Sequence, residues 1–171
     1  MLHEFLSANR IELIERCRSK VARRSAPEAS AVELEHGISL FLNQLIRTLQ
    51  VAQSPEPMAS RQISGASGGG TNLLYEMGVT AAQHGRELLQ HGFTIDQVVH
   101  DYGDLCQAIT DLAFVHETSV SIDEFRTLNR CLDNAIADAV TAFSYQQDRL
   151  VKDKTVHSLQ RTAELPRTRA A

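Results

Sequence analysis

Apolar residues recur along this chain at intervals of three and four, the spacing that lines one face of an α-helix, and no stretch shows strand alternation. In residues 2–24, Leu2, Leu6, Leu13, Ile14, Cys17 and Val21 gather on one side, charged residues surround the remainder, and Ala26-Pro27 ends the pattern. Ser30 and Glu33 have the spacing of a capping box, in which each side chain satisfies the other residue's backbone N–H. The helix they open runs to about Gln53 on a stripe of Leu34, Ile38, Phe41, Leu42, Leu45 and Leu49. A third helix spans about 71–91, with Leu74, Met77, Ala81 and Leu88 facing inward. Gly78 and Gly85 share that face; since each glycine weakens a helix by roughly 1 kcal/mol against alanine, the pair predicts close helix–helix packing. A fourth helix, 95 to about 116, carries Ile95, Val98, Val99, Tyr102, Leu105, Cys106, Ile109 and Leu112 on its apolar side. Asp96, His100, Asp104 and Asp111 project opposite, with Asp101 at the boundary.

Ser121 and Glu124 open the fifth helix with another capping box, and its stripe of Phe125, Leu128, Leu132, Ala135, Ala139 and Ala142 reaches about residue 150. Ile136, Val140 and Phe143 widen the stripe enough to serve both an internal core and a neighbouring chain. The junction between the third and fourth helices is the most specified point of the chain. Gly92 can adopt the left-handed geometry that stops a helix, and Thr94 stands three residues before Gln97, a further capping box. The two helices therefore meet at a sharp corner.

Residues 54–70, SPEPMASRQISGASGGG, contain two prolines, glycines and serines, and little to bury; they read as a flexible internal loop. Residues 154–171 lose periodicity, turn basic and read as a frayed tail. The expectation is an all-α domain over 1–153, made of five or more amphipathic helices in a globin-like (non-heme) or bundle arrangement.

Composition narrows the function. Hydrophobic residues make up 43% and charged residues 22% of 171, the balance of one folded domain rather than a disordered chain. Tryptophan is absent and other aromatics are few, so the core must be mainly aliphatic. A net charge of -4 argues against a nucleic-acid partner. No apolar run approaches the ~20 residues that span a bilayer, and the N-terminus has no signal-peptide core, so a cytoplasmic location is expected. Cys17, Cys106 and Cys131 are scattered on apolar helix faces with no CxxC pair, which fits buried reduced thiols better than a disulfide framework, a zinc site or a redox sensor.

Catalytic signatures are missing: there is no HExxH, GxSxG, P-loop or dinucleotide fingerprint. A heme or metal site would have to use His84, His91 or His100, none of which lies squarely among large apolar neighbours on its own helix. Asp104 and Asp111 are seven residues apart, too far along one helix to share a proton. The expectation is therefore no metal, no cofactor and no catalytic residues.

The run HGRELLQHGFTIDQVVHDYGDLCQAIT, followed by SIDEFRTLNRCLDNAIADAV, resembles the RsbRD-type N-terminal sensory domain, in the form found at the front of bacterial soluble sensor histidine kinases. FLSANRIELIERCRSKVARR and ELEHGISLFLNQLIRTL also fit, so the resemblance covers roughly residues 1–150. It implies an all-helical, non-heme globin-like fold, commonly dimeric, acting as signal input without catalysis of its own. His157 stands where a phosphoacceptor region would begin, but it lacks the usual acidic residue after it and no nucleotide-binding segment follows, so a complete kinase is not expected.

The functional expectation is a signal-input domain that dimerises and passes a helix rearrangement to a kinase or other partner. His91, Thr94, His100, Asp101, Tyr102 and Asp104 at the corner form the candidate surface for a small ligand or signal; the competing reading is capping plus core packing, into which Tyr102 and Cys106 fit best. Phe125, Leu128, Leu132 and Ala139 are the candidate dimer seam. A purely structural adaptor is the other alternative to a heme- or metal-binding protein.

Overall fold

The computed structural model describes residues 1–23, 31–69 and 75–163. Among the described residues there are seven α-helices and no strand: α1 (Leu2–Ala8), α2 (Arg10–Val21), α3 (Ala31–Ala52), α4 (Ser60–Ser64), α5 (Glu76–Gln90), α6 (Ile95–Val115) and α7 (Ile122–Ala163). The fold is an all-α bundle. The periodic stripes account for it: Leu6, Leu13, Cys17, Leu42, Leu45, Met77, Leu105, Leu112, Leu128 and Phe143 meet in one buried cluster.

The first predicted helix is in fact two. At Asn9 the backbone leaves helical geometry (φ -104°, ψ 17°), and both its N–H and its side-chain Nδ2 donate to the Phe5 carbonyl, at 3.0 and 2.9 Å. An asparagine amide that competes for a backbone acceptor in this way weakens the helical ladder. The break lets α1 pack on α3 while α2 turns against α6.

The capping residue Ser30 and the inward residue Leu74 lie outside the described residues. The third predicted helix begins at Glu76 rather than 71, with Tyr75 as its extended N-cap. Its glycine face performs as expected: α5 and α7 are the most intimately packed pair, and a Cβ on Gly85 would collide with the backbone carbonyl of Ala139.

The α5–α6 corner also forms as its sequence specifies. Gly92 sits at φ +83°, its N–H donates to Leu89 O (3.1 Å), and the Phe93 N–H reaches Leu88 O (3.0 Å). This pair of bonds ties off the last carbonyls of α5 and tucks Phe93 into the core. Thr94 N–H then donates to Gln97 Oε1 (2.9 Å) and Gln97 N–H to Thr94 Oγ1 (3.3 Å), closing the capping box.

Two segments depart from their loop and tail readings. Residues 57–69 dock on the bundle: a 3-10 turn (Pro57–Ala59) leads into α4, and Ser60, Ile63 and Ser64 are buried. Helix α7 does not fray near residue 150; it continues to Ala163. Beyond Gln146 the described side chains are all exposed, because no other described helix accompanies this stretch.

Candidate functional site

The six corner residues do not share one surface. Thr94 is occupied as the cap of α6. Tyr102 is buried, edge-on to Phe41 and to His84, and burial followed by Asp101 and Asp138 pushes its phenol well above the ordinary tyrosine range. A neutral, enclosed ring of this kind packs the core and is not presented to a ligand. Asp104, assigned to the free polar face, instead meets α2: its carboxylate lies 3.8 Å from Lys20 Nζ, and Lys20 also donates to Gln107 Oε1 (2.9 Å). Asp101 and Asp104 both raise the Cys17 thiol, after burial itself, to about 12. His91 and His100 remain exposed: His91 Nδ1 hydrogen-bonds the Glu87 carbonyl (2.8 Å), and His100 Nε2 is 3.5 Å from Asp96 Oδ1 on the preceding turn. Capping and packing thus claim Thr94 and Tyr102, and contact with α2 claims Asp104.

The histidines do not converge either. His84 presses its ring against Gly37 of α3, where a Cβ would overlap the imidazole, and its other side meets Tyr102. An axial heme ligand needs an open apolar slot in front of its nitrogen, whereas this ring is wedged between two helices. Among the described residues no group of three or more His, Cys, Asp or Glu side chains is placed to hold a metal. The thiols have the character of packing residues. Cys17 and Cys131 are buried and Cys106 is partly buried; burial raises all three, Cys131 to about 11, which leaves little nucleophilic thiolate.

The expected dimer seam is turned inward. Leu128, Leu132 and Ala139 are 1%, 6% and 0% exposed, covered by the chain's own helices, and only Phe125 retains half its surface. The stripe is broad because it faces several helices of one chain. The apolar surface that does reach solvent lies beside it. On α6, Val99, Gly103, Cys106, Thr110 and Phe114 follow one another at helical spacing at the edge of the core, with Val99, Thr110 and Phe114 exposed and Gly103 and Cys106 partly buried. Phe114 is 86% exposed, and Ile122, just across the turn on α7, is 80% exposed. Between the helices, Leu2, Ile109, Thr110, Ala113, Phe114, Thr118, Val120, Phe125 and Leu128 line an open hollow of about 210 Å³. A Cβ at Gly103 would meet no described atom within 4 Å, so no contact among the described residues calls for this glycine in the middle of a helix.

A second concentration of functional groups is polar and buried. Along α7, Glu124, Thr127, Cys131 and Asn134 form a row of buried residues, and Asp138 continues it. Glu124 does more than cap its helix. Its carboxylate accepts from the Ser121 N–H and hydroxyl (both 3.0 Å), from the Leu2 N–H (2.6 Å) and from Gln53 Nε2 (2.9 Å), tying the starts of α1 and α7 to the end of α3. Burial alone would raise its pKa, yet these donors together hold it below the ordinary glutamate value. Further along, Asn134 Nδ2 donates to the carbonyls of Ser64 (2.7 Å) and Ala66 (2.9 Å), Arg130 reaches Ser60 Oγ (3.3 Å), and Ser64 and Thr48 lie beside the Cys131 thiol. The Tyr75 hydroxyl donates to Asp138, and the phenol is pushed up by burial and by that carboxylate. Apolar periodicity is blind to Arg130 and Asn134, since both are polar and their partners lie about 70 residues away in the segment read as a free loop. The one available signal was a polar Asn within a broad apolar stripe.

No family model, no curated protein and no solved structure matches the chain. Among the described residues no helix is long and apolar enough to cross a membrane.

Proposed function

We propose that this chain is a signal-input domain that pairs with a second copy and passes a helix displacement to an output partner through α7, without catalysis of its own. The observation that carries the reading is the form of α7. Its first half is enclosed by the bundle up to Phe143, and its second half continues as a helix to Ala163 with its described side chains exposed. At 1.5 Å per residue the free part extends roughly 30 Å. A rod anchored at one end in a core and free at the other transmits a small shift at the anchored end without needing a reactive site.

The pairing surface in this reading is the α6 face of Val99, Gly103, Cys106, Thr110 and Phe114, together with Phe125 and Ile122 of α7. Phe114 and Ile122 are the most exposed large apolar side chains among the described residues, and exposed apolar side chains that cluster mark interaction sites. The protruding Phe114 also borders the hollow, so one patch offers both a knob and a hole, which suits a two-fold contact between identical chains. Gly103 allows the two α6 helices to approach closely.

Two experiments test the reading. Light scattering of the purified chain should give a dimer that Phe114→Asp converts to a folded monomer; a parent that stays monomeric at high concentration removes the pairing. For the lever, a histidine kinase module fused after Ala163 should change output when four residues are inserted in the free half of α7 and recover when seven are inserted, because only the latter preserves helical phase. Output indifferent to phase rules out transmission through α7.

A further inference from the structure

Residues 57–69 bridge α3 and α5, and the way they are held differs from the rest of the bundle. Ile63 is the only large apolar side chain they bury. Gly65 lies against the Tyr75 ring, and α4 packs on α3 and α5; the ties to α7 are polar: Asn134 to two strap carbonyls, Arg130 to Ser60, and Ser64 beside Cys131. Water can replace each of these bonds, so separating the surfaces costs far less than parting two apolar helices. At the far end of the segment, Gly68 and Gly69 have φ of +80° and +67°, and a Cβ on either would meet no described atom within 4 Å, so no described contact imposes their left-handed geometry. Ser54-Pro55 marks the near end, where the chain has just left α3.

We infer that residues 57–69 form a strap that lifts from α3 and α7 as a unit while the remaining helices stay packed, uncovering Cys131 and the polar row around Asn134. The docked strap holds α7 at Arg130 and Asn134, about one turn apart. Opening removes three hydrogen bonds from one stretch of that helix at once. If α7 is the output lever, a consequence that rests on the functional reading above, the strap sets how firmly the lever is anchored; the opening itself does not depend on that reading.

Cys131 serves as the reporter, because Ser64 of the strap lies over it, and Cys17, fully buried between α2 and α6, reports global unfolding. The full-length chain carrying Cys106→Ser is treated with a small maleimide, and modification of each thiol is followed by peptide mass spectrometry. Cys131 should be modified about tenfold faster than Cys17, and Asn134→Ala, which deletes two strap bonds, should accelerate Cys131 by about another tenfold while Cys17 keeps its rate. Ile63→Ala should act in the same direction through the apolar anchor. Equal rates for the two thiols with the same urea dependence, or a rise of Cys17 in step with Cys131 in both variants, would mean that Cys131 is reached only by global unfolding, and would overturn the strap.

Discussion

The seam between α5 and α7 and the seat of the 57–69 strap are both closed to solvent, yet they are made of opposite materials. At the seam, Gly85 lies against the Ala139 backbone and Met77, Ala81 and Leu88 face the core, with no polar side chain among those five. At the seat, Ser60, Ser64, Thr48 and Asn134 are all buried, and the directed bonds that cross it run from Asn134 to the Ser64 and Ala66 carbonyls and from Arg130 to Ser60. Apolar burial stabilises in proportion to area and has no favourable alternative partner in water, so the seam is lost only when the fold is lost. A hydrogen bond exchanges with water at little net cost, so the seat can open alone. Equal burial therefore does not mean equal permanence, and the row of polar residues on α7 marks where this bundle can move.

The largest expected effect lies on the apolar side. Leu132→Asp places a carboxylate in the core with no cation provided for it, and should cost roughly 4 kcal/mol or more, so that urea denaturation and circular dichroism report an unfolded or molten chain. Survival of a folded variant with near-native stability would mean that Leu132 faces a partner after all. Next comes a glycine pair. Gly85→Ala should cost about 2 kcal/mol, because the new methyl meets backbone that cannot step aside. Gly103→Ala should instead stabilise an isolated chain by up to about 1 kcal/mol, and weaken the pairing if α6 helices meet there. Opposite signs at two helical glycines are a sharp test of which one is held by tertiary contact.

At the corner, Thr94→Ala should remove about 1 kcal/mol, measured by thermal unfolding, while His91→Ala and His100→Ala leave stability nearly unchanged. A larger loss at either histidine would show that the exposed side chains carry more of the fold than their hydrogen bonds indicate. The smallest effect concerns Glu124. Its folded pKa is depressed below 4.5, so its contribution is fully present above the ordinary glutamate value and is lost as pH falls through the depressed one. Melting temperature should therefore decline on acidification below about pH 5, and less steeply in Glu124→Gln. Parallel pH profiles for the two proteins would remove Glu124 as a source of acid sensitivity.

Much of the bundle was legible along the chain because the rules involved act over a few residues. Gly92, Thr94 and Gln97 write their corner within one turn of helix, Ser121 and Glu124 write another start, and the stripes of α3, α5, α6 and α7 show their inward faces by spacing alone. The break at Asn9 was less visible, since the asparagine replaces no apolar position and its effect comes from one side-chain bond to Phe5. Similarly, the left-handed Glu117 (φ +51°) at the end of α6 carries no glycine to announce it, although its N–H and that of Thr118 close the helix as Gly92 and Phe93 do.

Local spacing settled that this chain is helical, where its helices turn and which residues are greasy enough to sit inside. It did not settle which neighbour each greasy face meets. Leu132 and Phe125 belong to one stripe along the chain; the first is enclosed by the bundle and the second keeps about half its surface in solvent. Nor did it reveal that Asn134 holds the backbone at Ser64, because that bond joins residues 70 apart and depends on a close approach that no four-residue pattern encodes. Periodicity reports the preference of a side chain for water or oil, whereas partners are chosen by the packing of whole helices, and that choice exists only once the chain has closed on itself.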